Sequence, residues 1–234
     1  MNNQNIISFL KNLANSKNAV HAQKYFKTAK GEYGYGDKFL GIRVPVLRKA
    51  IVEYQDTSLS EIKKVLKSEY HEARLFALLL LVHQFSKGEE LKREKIYNLY
   101  LKNTKYINNW DLVDSSAHYI IGVWLFDKDR SPLYKLAQSN LLWERRIAII
   151  STAYFIRNKQ FGDTLKIAHV LLNDSEDLMH KAVGWMLREV GNRDINVEEK
   201  YLKKYYKKMP RTMLRYAIEK FNEKKRLAYL KGEM

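Results

Sequence analysis

The chain has 234 residues and a mass of 27.7 kDa, enough for one core or one extended array and too much for a small stapled domain. It has no cysteine, which excludes disulfides, cysteine metal sites and thiol catalysis, and only three prolines and ten glycines, which argues against a loop-rich all-β protein. Lys plus Arg number 42 against 26 Asp plus Glu, a formal charge of +16 that points to a polyanionic partner such as DNA, RNA or an anionic surface.

The opening MNNQNIISFLKNLANSKNAV shows no basic-then-apolar leader and no small-residue cleavage pattern. The longest apolar run, roughly Phe76 to Val82, is far short of the ~20 residues that span a bilayer, so no membrane partner is expected and the expected location is cytoplasmic, held at the nucleoid through DNA. Apolar residues then recur at helical spacing. The spacing predicts helices over 44–54, with Pro45 near the start, and over 70–86, apolar nearly all round after Arg74. Further helices are predicted over 91–102, 109–125, 142–156, 161–172, 177–190 and 211–221. Stops stand at Ser86-Lys87-Gly88, Asp127 to Pro132, Asn158 to Gly162, Gly191-Asn192 and Met209-Pro210. No alternating strand of useful length is visible. Residues 29–41, AKGEYGYGDKFLG, hold four of the ten glycines and read as a loop. No strand precedes it and no Gly-Lys-Ser/Thr closes it, so it is not a nucleotide loop.

Internal repetition orders the helices. Arg74-Leu-Phe-Ala, Asp114-Ser-Ser-Ala, Arg146-Ile-Ala-Ile, Lys181-Ala-Val-Gly and Arg215-Tyr-Ala-Ile can be superposed, their leading residues 40, 32, 35 and 34 positions apart. Each interval holds one more helix and two short turns, the arithmetic of a helix-pair solenoid. The expected fold is therefore all-α, a curved α-solenoid of roughly six helix pairs forming a single domain over 1–234. Stacked repeats would set Arg74, Arg146, Lys181 and Arg215 in a row suited to duplex phosphates, with Asp114 as an acidic exception.

Trp110 and Asp114 lie four apart and share a helix face; Lys181, Trp185 and Arg188 share another. Two indoles, one carboxylate and several cations suit cleavage of an N-glycosidic bond. The carboxylate stabilises the oxocarbenium ion and holds the attacking water, and the indole faces favour positive charge on the sugar or on an alkylated base.

At these residues the sequence resembles the AlkD-like family of DNA alkylation-repair glycosylases, built from HEAT-like helical repeats. The resemblance runs from about Gln23 to Phe221. It is carried by FLGIRVPVLRK (39–49), NNWDLVDSS (108–116), LWERRIAII (142–150) and HKAVGWMLREVGN (180–192), in that order and spacing. It implies an essential carboxylate at Asp114, lesion-flanking indoles at Trp110 and Trp185, a cleft tyrosine at Tyr25, and DNA-contacting cations at Arg146 and Arg188. The implied reaction is excision of cationic N3- and N7-alkylpurines from duplex DNA by hydrolysis, without metal and without extrusion of the base into a pocket. No cofactor is expected, and the protein is expected to act as a monomer. Two features depart from the family pattern: the glycine-rich loop 29–41 is long, and Asn109 stands where a further tryptophan often precedes the motif.

Other readings stand beside these. Asp114 as a helix cap or structural partner of Arg146 is one, and Trp110 and Trp185 as core residues is another. Trp124 and Trp143 are assigned to the core. The six histidines show no metal-ligand spacing. Asp111 reads as a solvated or helix-start charge. The basic stretch 200–226 is either a DNA-backbone contact or the polar end of the array. The competing function is a non-catalytic DNA- or RNA-binding scaffold of the same fold.

Overall fold

The computed structural model describes residues 5–234. The expectation drawn from the opening segment falls in part on residues 1–4, which lie outside the described residues. The protein is all-α: among the described residues the extended pairing is a single isolated bridge between Lys38 and Tyr70. Among the described residues no helix is long and apolar enough to cross a membrane. The chain divides into two compact units, Met1–Ser116 and Ala117–Met234.

In the first unit, helix His71–Lys87 is the centre. Helices Val44–Ala50, Leu59–Leu66, Glu90–Leu101 and Trp110–Asp114 pack on it. Its Leu75, Phe76, Leu78, Leu80, Leu81 and Phe85 are buried, each worth about 1.5–3 kcal/mol when withdrawn from water. The helix also buries its polar start: His71, Glu72 and Arg74. The glycine-rich loop covers that start. The His71 amide donates to the Lys38 carbonyl at 2.8 Å, and Glu72 accepts the amides of Leu40, Gly41 and Ile42 at 2.9, 2.7 and 3.2 Å. Gly41 is required here. Its φ is +78°, and a Cβ would lie 2.2 Å from the Asn15 carbonyl oxygen. The long loop is thus a buried clasp over a helix start.

In the second unit, helix Asp177–Gly191 is central. Helices Leu142–Ser151, Ile195–Tyr205 and Arg211–Ala217 pack around it. Gly184 lets Arg211–Ala217 approach, since a Cβ would stand 2.4 Å from the Met213 carbonyl oxygen.

Two predicted helices are broken, for the same reason. The span 109–125 is helical over Trp110–Asp114, turns, and resumes as a short π-helix at His118–Gly122. The Ser116 hydroxyl donates to the Leu112 carbonyl at 2.6 Å and competes with the backbone ladder. The span 142–156 divides into Leu142–Ser151 and Ala153–Arg157, where Ser151 and Thr152 hydroxyls donate to Ile147 and Ile149 carbonyls at 2.6 and 2.7 Å. Hydroxyls at the ends of otherwise apolar runs set these breaks, which apolar periodicity cannot register.

Candidate functional site

Helix Trp110–Asp114 is short, and its neighbours decide where it stands. Asn109, fully buried, accepts the Trp110 amide at 2.8 Å through its side chain. The residue that departs from the family pattern therefore serves as a cap. Leu112 and Val113 are fully buried and anchor one side. Trp110, Asp111 and Asp114 are left half-buried. At the far end the Ser116 and Tyr100 hydroxyls meet at 2.9 Å. Burial of Tyr100, with the Asp114 charge nearby, raises its phenol above the usual range.

Trp110 sits in an aromatic wall. Phe26 stacks on it with centroids 5.4 Å apart at 23°, and Tyr25 meets it edge-on at 6.0 Å. Tyr25 is 60% exposed, at the end of helix Ser16–Tyr25. Beside this wall lies a cavity of about 430 Å³, bordered by His21, Tyr25, Phe26, Phe39, His71 and Asp111. His71 and Asp111 on its lining belong to a charged network. His71 Nδ1 lies 3.1 Å from Asp37 Oδ2 and His71 Nε2 lies 2.8 Å from Asp111 Oδ2. Arg74 donates to Asp37 Oδ1 at 2.7 Å and to the Ser68 carbonyl at 3.0 Å. Phe39 and Phe26, stacked on each other at 5.1 Å, both contact the His71 ring, at 4.6 and 4.8 Å.

Burial opposes a charge on His71, but its hydrogen bonds to Asp111 and Asp37 outweigh that and raise its pKa to about 9. At neutral pH both ring nitrogens therefore donate, one to each carboxylate. Burial likewise pushes Asp37 up, while the His71 hydrogen bond and the Arg74 charge together hold it below the usual carboxylate range. Two cations thus balance two anions, of which Asp111 is the more exposed.

Other sequence-predicted residues lie on separate elements. Arg74 and Arg146 are only 4% and 5% exposed, and the Arg146 guanidinium donates to the Leu178 carbonyl at 2.8 Å. This corrects the expected row of four solvent-facing cations: two of them spend their donors on protein carbonyls and carboxylates. Lys181 is half-buried and pairs with Asp177 at 2.8 Å, and Arg215 is exposed. In helix Asp177–Gly191 the half-buried Trp185 donates through Nε1 to Glu189 at 3.3 Å, and Arg188 pairs with Glu219. Trp124 and Trp143, expected in the core, are half-buried, with Lys128 Nζ 4.4 Å above the Trp124 ring. Asp111, expected as a solvated or helix-start charge, stands in the first turn of its helix, half-buried and partnered by His71.

The sequence reading passed over His71, Asp37, Phe26 and Phe39. A search for metal-ligand spacing asks nothing about a histidine held by distant carboxylates. One signal was available: His71 and Asp111 are 40 positions apart, the same interval as Arg74 and Asp114 in the repeat register. Among the described residues no three His, Asp or Glu side chains could together hold a metal ion.

Residues 6–221 match the family model described as DNA alkylation repair enzyme. The chain belongs to that family. Comparison with curated protein sequences gave no match. Among solved structures, a "predicted DNA alkylation repair enzyme" from Enterococcus faecalis is similar with a TM-score of 0.69 at 15% identity, covering 90% of this chain and 97% of that one. AlkD2 from Streptococcus mutans is similar with a TM-score of 0.54 at 16% identity, covering 88% of this chain and 98% of that one. These likenesses establish for this member of the DNA alkylation repair family the all-helical repeat fold expected from the spacing of its apolar residues.

Proposed function

We propose that the protein is a DNA glycosylase that removes cationic N3- and N7-alkylated purines from duplex DNA. The observation that carries this reading is the placement of Trp110 and Asp114, both half-buried, on one helix beside Tyr25 in a DNA alkylation repair family member. The Asp114 carboxylate stabilises positive charge as the C1′–N bond opens and takes a proton from the attacking water. Water's oxygen bonds to C1′, and the bond's electron pair leaves with the purine, which departs neutral. The cationic lesion thus needs no strong acid. Trp110 and Trp185 each hold positive charge on the lesion against a ring face, and Tyr25 stands edge-on to Trp110. Lys181, Arg188 and Arg215 contact phosphates, while the buried Arg74 and Arg146 act through packing.

Release of free methylpurine from methylated duplex DNA by the purified protein tests this. Release faster than spontaneous depurination is expected. Tight binding of methylated duplex with no release would make the protein a non-catalytic binding scaffold.

A further inference from the structure

The Trp110–Asp114 helix is too short to hold its own position. Isolated helices below ~12–15 residues are marginal in water, so tertiary contacts must set where its side chains point. Its two buried aliphatic residues fix which side faces inward. They do not fix rotation about the helix axis to the fraction of an ångström that a charge-stabilising carboxylate requires. That role needs a directional contact on the solvent-facing side.

Asp111 supplies one. Its Oδ2 receives the His71 Nε2–H at 2.8 Å, and the opposite ring nitrogen is held by Asp37 at 3.1 Å. Asp37 is itself held by Arg74 at 2.7 Å and by the Asn108 side chain at 3.4 Å. Phe39 stacks on it at 4.6 Å, and Phe26, itself stacked on Phe39 at 5.1 Å, contacts it at 4.8 Å, so both rings press on it from one side. Phe26 then stacks on Trp110. The His71 ring therefore reaches the short helix by two routes, a hydrogen bond through Asp111 and a ring stack through Phe26. Both end within one turn of Asp114.

We propose that His71 and Asp111 are positioning residues for excision, and that the chain of contacts from Asp37 through His71 to Asp111 sets the placement of Trp110 and Asp114. Neither residue touches the reacting atoms. The inference rests on the glycosylase reading, since it assigns a purpose to the network only if Asp114 acts on substrate. It makes activity depend on the protonation of His71. The charged groups facing the ring are Asp37 from the loop, Asp111 from the short helix, and Arg74 and Glu72 from its own helix; Phe26, following helix Ser16–Tyr25, presents only an apolar ring. Loss of the ring proton leaves one nitrogen lone pair facing a carboxylate, and that end of the bridge opens. His71 loses its proton near pH 9, so the wild-type rate should fall there.

Single-turnover excision from methylated duplex, with enzyme in saturating excess, is measured from about pH 6 to 10 for the wild type, Asp111→Asn and Asp111→Ala. Melting curves are taken for each protein. Asp111→Ala is expected to lose about 10–100-fold in rate at every pH while DNA affinity holds, the scale of a displacement of about 1 Å in a reacting group. Asp111→Asn is the conservative rescue. Its carboxamide oxygen accepts from the protonated ring, and its amide donates to the neutral ring, so the contact survives in both states. It is expected to keep most of the neutral-pH rate and to lose the fall near pH 9. A merely structural role would not remove that fall. If Asp111→Ala does not fold, the pair of wild-type and Asp111→Asn profiles decides. Identical profiles for all folded proteins, or a wild type with no fall near pH 9, would overturn the inference. A wild type that releases no methylpurine overturns the glycosylase reading, and this inference falls with it.

Discussion

His71 and Asp111 meet at 2.8 Å across 40 residues of sequence, the same interval that separates Arg74 from Asp114 in the repeat register. The starts of two helices in successive repeats are thus joined by a charged hydrogen bond between equivalent positions. Its His71 end is withdrawn from water while Asp111 is half-buried, so the bond is stronger than a surface pair. On the buried side every partner must be present, since a lone charge on His71 or Asp37 has no water to turn to.

Arg74→Ala should accordingly be costly. Arg74 is 4% exposed and its guanidinium offsets Asp37, so the variant leaves that carboxylate with His71 as its one cation. A loss of about 3–5 kcal/mol in urea unfolding is expected, the scale for breaking a buried pair. The salt dependence of DNA binding should be unchanged by this substitution. A normal stability with a flatter salt slope would instead return Arg74 to the DNA-facing surface.

Much of the fold was legible because repeats write themselves into sequence as intervals. The helix around Arg74 and those around Lys181 and Arg215 stand where the spacing puts them. What the spacing cannot convey is side-chain direction. Arg74 and Arg215 hold equivalent positions in the register, yet one is buried against a loop carboxylate and the other is exposed. Asp37, the partner that draws Arg74 inward, lies 37 residues away in a glycine-rich loop without periodicity. Short polar helices such as Ser16–Tyr25, which has no buried residue, were equally faint. Tyr25 was located by resemblance and not by pattern.

Glu72 should prove as important as any core residue. It accepts three consecutive backbone amides from residues 40–42 while 4% exposed. Glu72→Gln turns one accepting oxygen into a donor facing amide donors. About 1–3 kcal/mol of stability should be lost, with faster hydrogen exchange confined to the loop amides of Leu40, Gly41 and Ile42. Uniform exchange across the unit would show that the clasp does not act locally.

Glu198 makes stability depend on pH. It is 1% exposed, and its Oε1 has no hydrogen-bond partner. Burial, with the Glu199 charge adding to it, raises its pKa to about 8. A carboxyl raised in the folded state is uncharged in the fold and charged in the unfolded chain above its ordinary value near 4.5. Its contribution is therefore full at acid pH and is lost as pH rises from about 4.5 towards 8, by on the order of a few kcal/mol. Glu198→Gln should raise stability at pH 8 and flatten this slope in urea titrations at several pH values. A parallel slope in the variant would assign the dependence to other groups.

The stretch Lys200–Tyr216 contains seven cations and no acid. Lys203, Lys204, Lys207 and Lys208 are exposed, with Lys204 and Lys207 over the rings of Tyr205 and Tyr206 at 5.1 and 5.7 Å. If they face phosphates, changing all four to Gln should flatten the slope of log K against log salt by about 0.9 for each phosphate contact removed, alike for every duplex sequence. An unchanged slope would mark the stretch as the polar end of the helical array.

Asp114 is the residue on which the proposed chemistry depends, and its charge should matter more than its shape. Asp114→Asn keeps the volume and one accepting oxygen but removes the anion. Excision of a cationic purine should slow by about 10²–10³-fold in single-turnover experiments, the scale for one electrostatic contact made as charge develops. Affinity for lesion DNA should hold or rise slightly, because a negative charge near phosphates is gone. Slow excision with an unchanged melting temperature and undiminished affinity for lesion DNA would place the loss in charge alone. Wild-type excision by Asp114→Asn would make the carboxylate structural and end the mechanism.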